Sequence, residues 1–130
     1  MCWTLAVLSN EPGADVVEGI YEKADSGEAV LTINKLNLLE VYYDLFRTYG
    51  KERADEIVNE IRRLPIQIFH EISDDVFAEA GRLKASHKIS LADSIALAQT
   101  LVISGELLTA DHHEFDTIEG NEPIVFHWIR

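Results

Sequence analysis

Leu36, Leu39, Tyr43 and Phe46, joined by Leu38, Tyr42, Leu45 and Tyr49, recur at the spacing of an α-helix with a wide apolar face, and Gly50 marks its end. From Lys51 to Leu64 a second helix is predicted: Ala54, Ile57, Val58 and Ile61 share one face, the charges take the other, and Pro65 stops the run. Short β-prone stretches lie between and after such segments, at Ala29 to Ile33, Ile66 to Phe69, Leu107 to Thr109 and Ile124 to Phe126. Ser73-Asp74-Asp75 opens a helix carrying Val76, Phe77, Ala80 and Leu83, followed by a polar joint from Lys84 to Lys88. Ser90 begins another helix through about Ser104, which Gly105 stops. Nearer the amino terminus, an apolar segment from Leu5 to Leu8 breaks at Asn10-Glu11-Pro12-Gly13, and a helix is predicted from about Ala14 to Ala24, ended by Gly27.

Strands separated by helices predict an α/β domain with a mainly parallel sheet, because each return to the same strand direction needs a crossover. A sheet of this kind is expected to open with a strand, yet the chain starts almost directly in what reads as its first helix. At 130 residues, 47% of them hydrophobic, residues 1–130 form one domain with a sizeable core. The apolar run from Ile89 to Val102 is interrupted by Ser90, Asp93, Ser94 and Gln99, so no membrane span is expected. The amino terminus lacks a basic region and a small-residue cleavage site, and the lone Cys2 forms no internal disulfide, which together point to the cytoplasm.

Charge changes the picture. Twenty-three acidic residues against eleven basic ones give a net charge of −12, which excludes indiscriminate coating of nucleic acid. The surplus either keeps the surface soluble or gathers to hold a cation or a basic partner.

Three acids stand where a surface charge is not expected. Glu40, four residues after Leu36 and three before Tyr43, falls on or beside the apolar face of its helix. Such a carboxylate either reaches round to solvent or meets a partner, since burial without one is costly. Asp93, three residues after Ser90, fits a capping box as well as a ligand position in the first turn of a helix. Asp111 follows Leu107-Leu108-Thr109-Ala110, just past a strand end, where open α/β sheets present ligand-binding residues and where Asp also forms ordinary turns. His112, His113, Glu114 and Asp116 read as polar loop content; adjacent histidines diverge, no second thiol is present, and oxygen donors dominate, so zinc is disfavoured.

The segments Ala6-Val7-Leu8-Ser9-Asn10-Glu11-Pro12-Gly13-Ala14, Leu38-Leu39-Glu40-Val41, Leu91-Ala92-Asp93-Ser94-Ile95-Ala96-Leu97-Ala98 and Leu107-Leu108-Thr109-Ala110-Asp111, with Glu114-Phe115 after it, follow one another in the order and spacing of a known family. Across nearly its whole length the chain resembles the PIN-domain family, and more closely its VapC-type toxin ribonucleases. The resemblance implies a three-layer α/β/α domain that hydrolyses RNA phosphodiester bonds at an acidic site holding Mg²⁺ or Mn²⁺. It carries over Glu40, Asp93 and Asp111 as catalytic, metal-binding carboxylates, with Asp116 as a lesser ligand and Thr109 as a hydrogen-bonding neighbour of ligand or phosphate. It also implies a basic antitoxin as partner and a homodimer, with apolar residues of Leu36 to Tyr49 and Ala54 to Ile61 as contacts.

PIN domains begin with a hydrophobic strand ending in an Asp of the metal site, and here no acid precedes Glu11. The chain is therefore expected to lack that strand and its Asp, either because the natural coding region starts upstream of Met1 or because the chain is an N-terminally shortened, impaired member. Arg82, Lys84 and Lys88 precede the Asp93 helix and either steer phosphate toward the site or simply solvate a helix end. Two other readings stay open: a non-catalytic or impaired PIN-like module that mainly binds a protein, and an unrelated receiver-like α/β domain with an acidic pocket. The second is less attractive, because receiver-like domains gather their acids early in the chain.

Overall fold

A computed structural model describes residues 2–5, 30–109 and 112–128. Five strands and five helices are seen among them: β1 (Cys2–Leu5), β2 (Val30–Asn34), α1 (Lys35–Tyr49), α2 (Lys51–Arg63), β3 (Ile66–Phe69), α3 (Asp74–Ser86), α4 (Leu91–Val102), β4 (Glu106–Thr109), α5 (His112–Glu119) and β5 (Val125–Trp128). The strands form one parallel sheet in the order β3-β2-β1-β4-β5. The chain thus builds one half of the sheet outward from β1, then returns to the other side of β1 at β4.

Local chemistry sets the helix ends. Asn34 closes β2 and caps α1, its side-chain oxygen accepting from the Leu36 amide at 2.9 Å. Gly50, with φ of 87°, turns the chain directly from α1 into α2 in a conformation that disfavours any residue with a Cβ. Leu64 is extended because Pro65 follows it. Ser73 and Ser90 accept from the amides of Val76 and Asp93 to start α3 and α4.

Alternation along β2 separates two cores. Leu31 and Ile33 pack with Leu38, Val41 and Leu45 of α1 and Ala54, Ile57, Val58 and Ile61 of α2. Thr32 and Asn34, the alternate residues, are also buried, and Asn34 reaches Gln99 of α4. The second core joins Val76, Ala80 and Leu83 of α3, residues 95–98 of α4, Leu107 of β4, Phe115 and Ile118 of α5, and Ile124. The result is the three-layer α/β/α arrangement expected from the alternation of elements. No helix among the described residues is long and apolar enough to cross a membrane.

Four expectations are corrected. A strand does open the chain: β1 occupies the centre of the sheet, paired on both sides, although four residues are too few to show a period. The sequence of this strand, Cys2-Trp3-Thr4-Leu5, contains no acidic residue. Residues 112–116 are not loop but the start of α5, whose Phe115 and Ile118 are both buried at helical spacing. The joint after α3 begins at His87 rather than Lys84, and α4 ends at Val102, with Ser104 rather than Gly105 taking the left-handed turn (φ 54°). The helix expected from Ala14 to Ala24 lies outside the described residues, as does the Asn10 to Gly13 turn.

Candidate active site

In a parallel sheet a helix that follows a strand starts at the strand's carboxyl end, and a helix that precedes one finishes at its amino end. α1 leaves β2 without an intervening residue, and α4 runs into β4 through a short turn. The amino-terminal turns of α1 and α4 therefore meet at the carboxyl edge of the sheet, the edge where open α/β folds bind ligands. Glu40 lies in the second turn of α1 and Asp93 in the first turn of α4.

The two carboxylates feel each other. Burial pushes the Glu40 carboxyl up to about 7, and the charges of Asp93 and then Asp44 push in the same direction. Among the described residues the charged groups acting on Glu40 are acids, an unusual state for a partly buried acid in a folded protein. Asp44, one helical turn further along α1, was not anticipated from the sequence; it stands 4.0 Å from Arg47.

Backbone placement of Asp93 is tightly set. The Ser90 hydroxyl oxygen accepts from the Asp93 amide at 3.1 Å, which realises the serine half of the capping box, and the Ser94 hydroxyl donates to the Leu91 carbonyl at 2.6 Å. From α1, the side chain of Asn37 donates to the Ala92 carbonyl at 2.8 Å. Asn37 is 1% exposed, and its side-chain oxygen has no hydrogen-bond partner. Leaving such an acceptor unpaired in a core costs about 1–3 kcal/mol. The sequence offered one signal for this residue: a polar side chain one turn before Glu40, in the buried row of Val41 and Leu45.

Asp111 lies outside the described residues, between the end of β4 at Thr109 and the start of α5. Thr109 ends β4, at the same edge of the sheet. Asp116 is exposed on α5. Lys84 and Lys88 are exposed. Arg82 donates to both Glu79 and Glu122, at 2.9 Å each, and its ordinary high pKa rises further for that reason. Glu122 also meets His87 at 2.8 Å. Arg82 is thus tied to Glu79 within α3 and to Glu122, which binds α3 to the turn after α5.

Donor chemistry at the Glu40–Asp93 pair suits a hard divalent cation: oxygen ligands only, with negative charge in excess. Among the described residues no three His, Cys, Asp or Glu side chains are grouped to hold a metal ion. Glu40 and Asp93 are two of the three main carboxylates that the family resemblance implies for such a site, and they are drawn from different helices.

The architecture has close counterparts. The chain is similar to VapBC2 from Rickettsia felis, solved bound to a DNA fragment from the promoter, at 16% identity over 100% of both chains with a TM-score of 0.71. It is similar also to VapBC-1 from nontypeable Haemophilus influenzae, at 13% identity over 98% of each chain and a TM-score of 0.69. A third similar structure is VapC20 of Mycobacterium tuberculosis, a toxin that cleaves the sarcin-ricin loop, at 13% identity over 88% of this chain and 94% of that one, with a TM-score of 0.67. No curated protein matches the sequence. The PIN domain family model matches residues 3–121, which takes in every described element before β5, and with it the sheet edge where Glu40 and Asp93 meet. The chain belongs to the PIN domain family.

Proposed function

We propose that this protein is a Mg²⁺- or Mn²⁺-dependent endoribonuclease, the toxin of a type II toxin–antitoxin pair. The observation that carries the reading is the Glu40–Asp93 pair: two acids from separate helices, at the ligand-binding edge of the sheet, with only acids among the described residues acting on the one whose pKa is raised. Glu40, Asp93 and Asp111 would supply oxygen ligands, with Asp116 as a lesser one. A bound divalent cation supplies an activated water and neutralises charge on the phosphate.

The residues themselves account for the rest. Glu40 and Asp93 repel each other, so an empty site is held at a cost that a cation relieves. Ser90 and Asn37 keep Asp93 from relaxing away. Thr109 and the exposed Lys84 and Lys88 are the candidate phosphate contacts, while Arg82 is engaged by Glu79 and Glu122. Similar structures are toxin–antitoxin complexes, which supports an antitoxin partner; one is described as a toxin–antitoxin complex from Klebsiella pneumoniae. A basic antitoxin segment suits a surface of charge −12. Leu39, Tyr43, Phe46 and Tyr49 leave an exposed apolar row on α1, the candidate contact of a homodimer.

One observation favours the alternative of an impaired module that mainly binds a protein: β1 carries no acid. Cleavage of single-stranded RNA by the wild-type chain and by Asp93→Asn, with Mn²⁺ and with chelator, separates the two. The nuclease reading expects activity that requires Mn²⁺ and is lost in the variant. Cleavage in chelator, or equal cleavage by the variant, overturns it; an inert wild type that still binds a basic antitoxin supports the module.

A further inference from the structure

We propose that Asn37 is a positioning residue: by donating to the Ala92 carbonyl it fixes the separation of Glu40 on α1 from Asp93 on α4. The inference rests on the metal-site reading above and adds a residue to it that touches neither metal nor substrate.

The argument begins with the cost of the residue. Asn37 occupies the buried row of α1 together with Leu38, Val41 and Leu45, where an aliphatic side chain would pack and leave nothing unsatisfied. The amide instead leaves its oxygen without a partner and spends only its N–H. That single bond joins positions 55 residues apart. At one end it is a turn from Glu40; at the other it holds the carbonyl of the residue before Asp93.

The plane of the Ala92–Asp93 peptide gives the bond its leverage. Its carbonyl is held by Asn37 at 2.8 Å, and its N–H is held by the Ser90 hydroxyl oxygen at 3.1 Å. A peptide unit is planar, so gripping both of its ends orients the N–Cα bond of Asp93, and the helical φ of α4 then sets the direction in which its Cα–Cβ bond leaves the helix. Asn34 grips α4 further along, donating to Gln99 at 3.4 Å and to the Glu71 carbonyl at 3.3 Å. The longer Gln99 bond seats α4 on the sheet and the Glu71 bond holds the segment after β3, whereas the Asn37 bond reaches the turn that carries a carboxylate. Two like charges drive their helices apart, and the bond that crosses between the helices beside them opposes that. Partners of this kind, one step behind the ligands, are worth about 10–100-fold in metal affinity.

The test uses the full chain, metal-free and titrated with Mn²⁺ alone. Asn37→Leu removes the bond and the orphaned oxygen together, so the metal-free melting temperature is expected to hold or rise while Mn²⁺ affinity falls by about tenfold. In an Asp93→Asn background the same change is expected to have no further effect on Mn²⁺ affinity. Crystal structures of the metal-free wild type and variant are expected to show a wider Glu40–Asp93 separation in the variant. Asn37→Ser, too short to reach Ala92, makes the same predictions for affinity and separation should the leucine variant not fold. Unchanged separation overturns the inference whether or not Mn²⁺ binds, as does a melting-temperature loss with wild-type affinity. A wild type that binds no Mn²⁺ sinks the metal-site reading instead, and the separations still decide the role of Asn37.

Discussion

Glu40 and Glu122 are both partly buried glutamates, yet the protein treats them in opposite ways. Glu122, with its side chain 8% exposed, lies between Arg82 and His87, and their hydrogen bonds hold its carboxyl below the usual range. Glu40 meets burial and two further acids, and rises to about 7. The same residue type is a brace in one place and an unbalanced charge in the other. The difference lies in the neighbours: Glu122 accepts from Arg82 and meets His87, whereas the groups acting on Glu40 are acids. Acidity along the sequence therefore does not distinguish a brace from a candidate ligand, and the neighbours in the fold do.

The comparison can be broken in several places. The largest expected effect is on Asp93→Asn, which leaves Glu40 without its partner: RNA cleavage in Mn²⁺ should fall by at least about 100-fold, read from initial rates. Glu122→Gln should leave Mn²⁺ affinity alone and destabilise the fold by about 2 kcal/mol in denaturant titration, because it weakens a partly buried, charge-assisted cluster. A changed Mn²⁺ affinity there would erase the distinction between brace and site.

Glu40→Gln should act in the other direction on stability. A carboxyl raised above its unfolded pKa binds its proton more tightly in the folded state, so metal-free stability falls as pH climbs from about 4.5 through about 7. The variant removes that loss, and after allowance for solvent screening it should gain on the order of 1 kcal/mol at pH 8 and nothing near pH 4. Glu122, lowered rather than raised, contributes stability that is present above the unfolded pKa and lost as pH falls below it. The smallest effect belongs to Arg53→Ala: its pair with Glu56 is exposed on both sides, and its loss should stay within about 0.5 kcal/mol.

Elements with a long apolar period were readable in the chain. α1 and α2 repeat their spacing over several turns, and Ser73 and Ser90 announce α3 and α4 by their caps. β1 was not, since four residues whose neighbours are β2 and β4 owe their conformation to partners far along the chain. α5 was hidden by its polar opening, although Phe115 and Ile118 carried its period. At the site, periodicity placed Glu40 on an apolar face, but only family resemblance joined it to Asp93. Arg82 looked like a phosphate contact because its partner Glu122 stands 40 residues away, beyond the reach of any local pattern. Asn37 went unnoticed for a related reason: a helix can show that a polar residue faces inward, and cannot show which carbonyl will be waiting there.

The position of β1 between β2 and β4 has a consequence for the life of the chain rather than for its chemistry. Thr4 pairs with Thr32 on one side and with Leu107 on the other, so the sheet cannot close until β4 has left the ribosome. α4, which carries Asp93, needs Leu107 and Phe115 to complete the core it packs into. The nascent polypeptide therefore stays unassembled until β4 and α5 have emerged. On the function proposed above, the ribonuclease site forms only once those late elements have folded, and an antitoxin has from that moment onward, and little before it, a folded surface to seize.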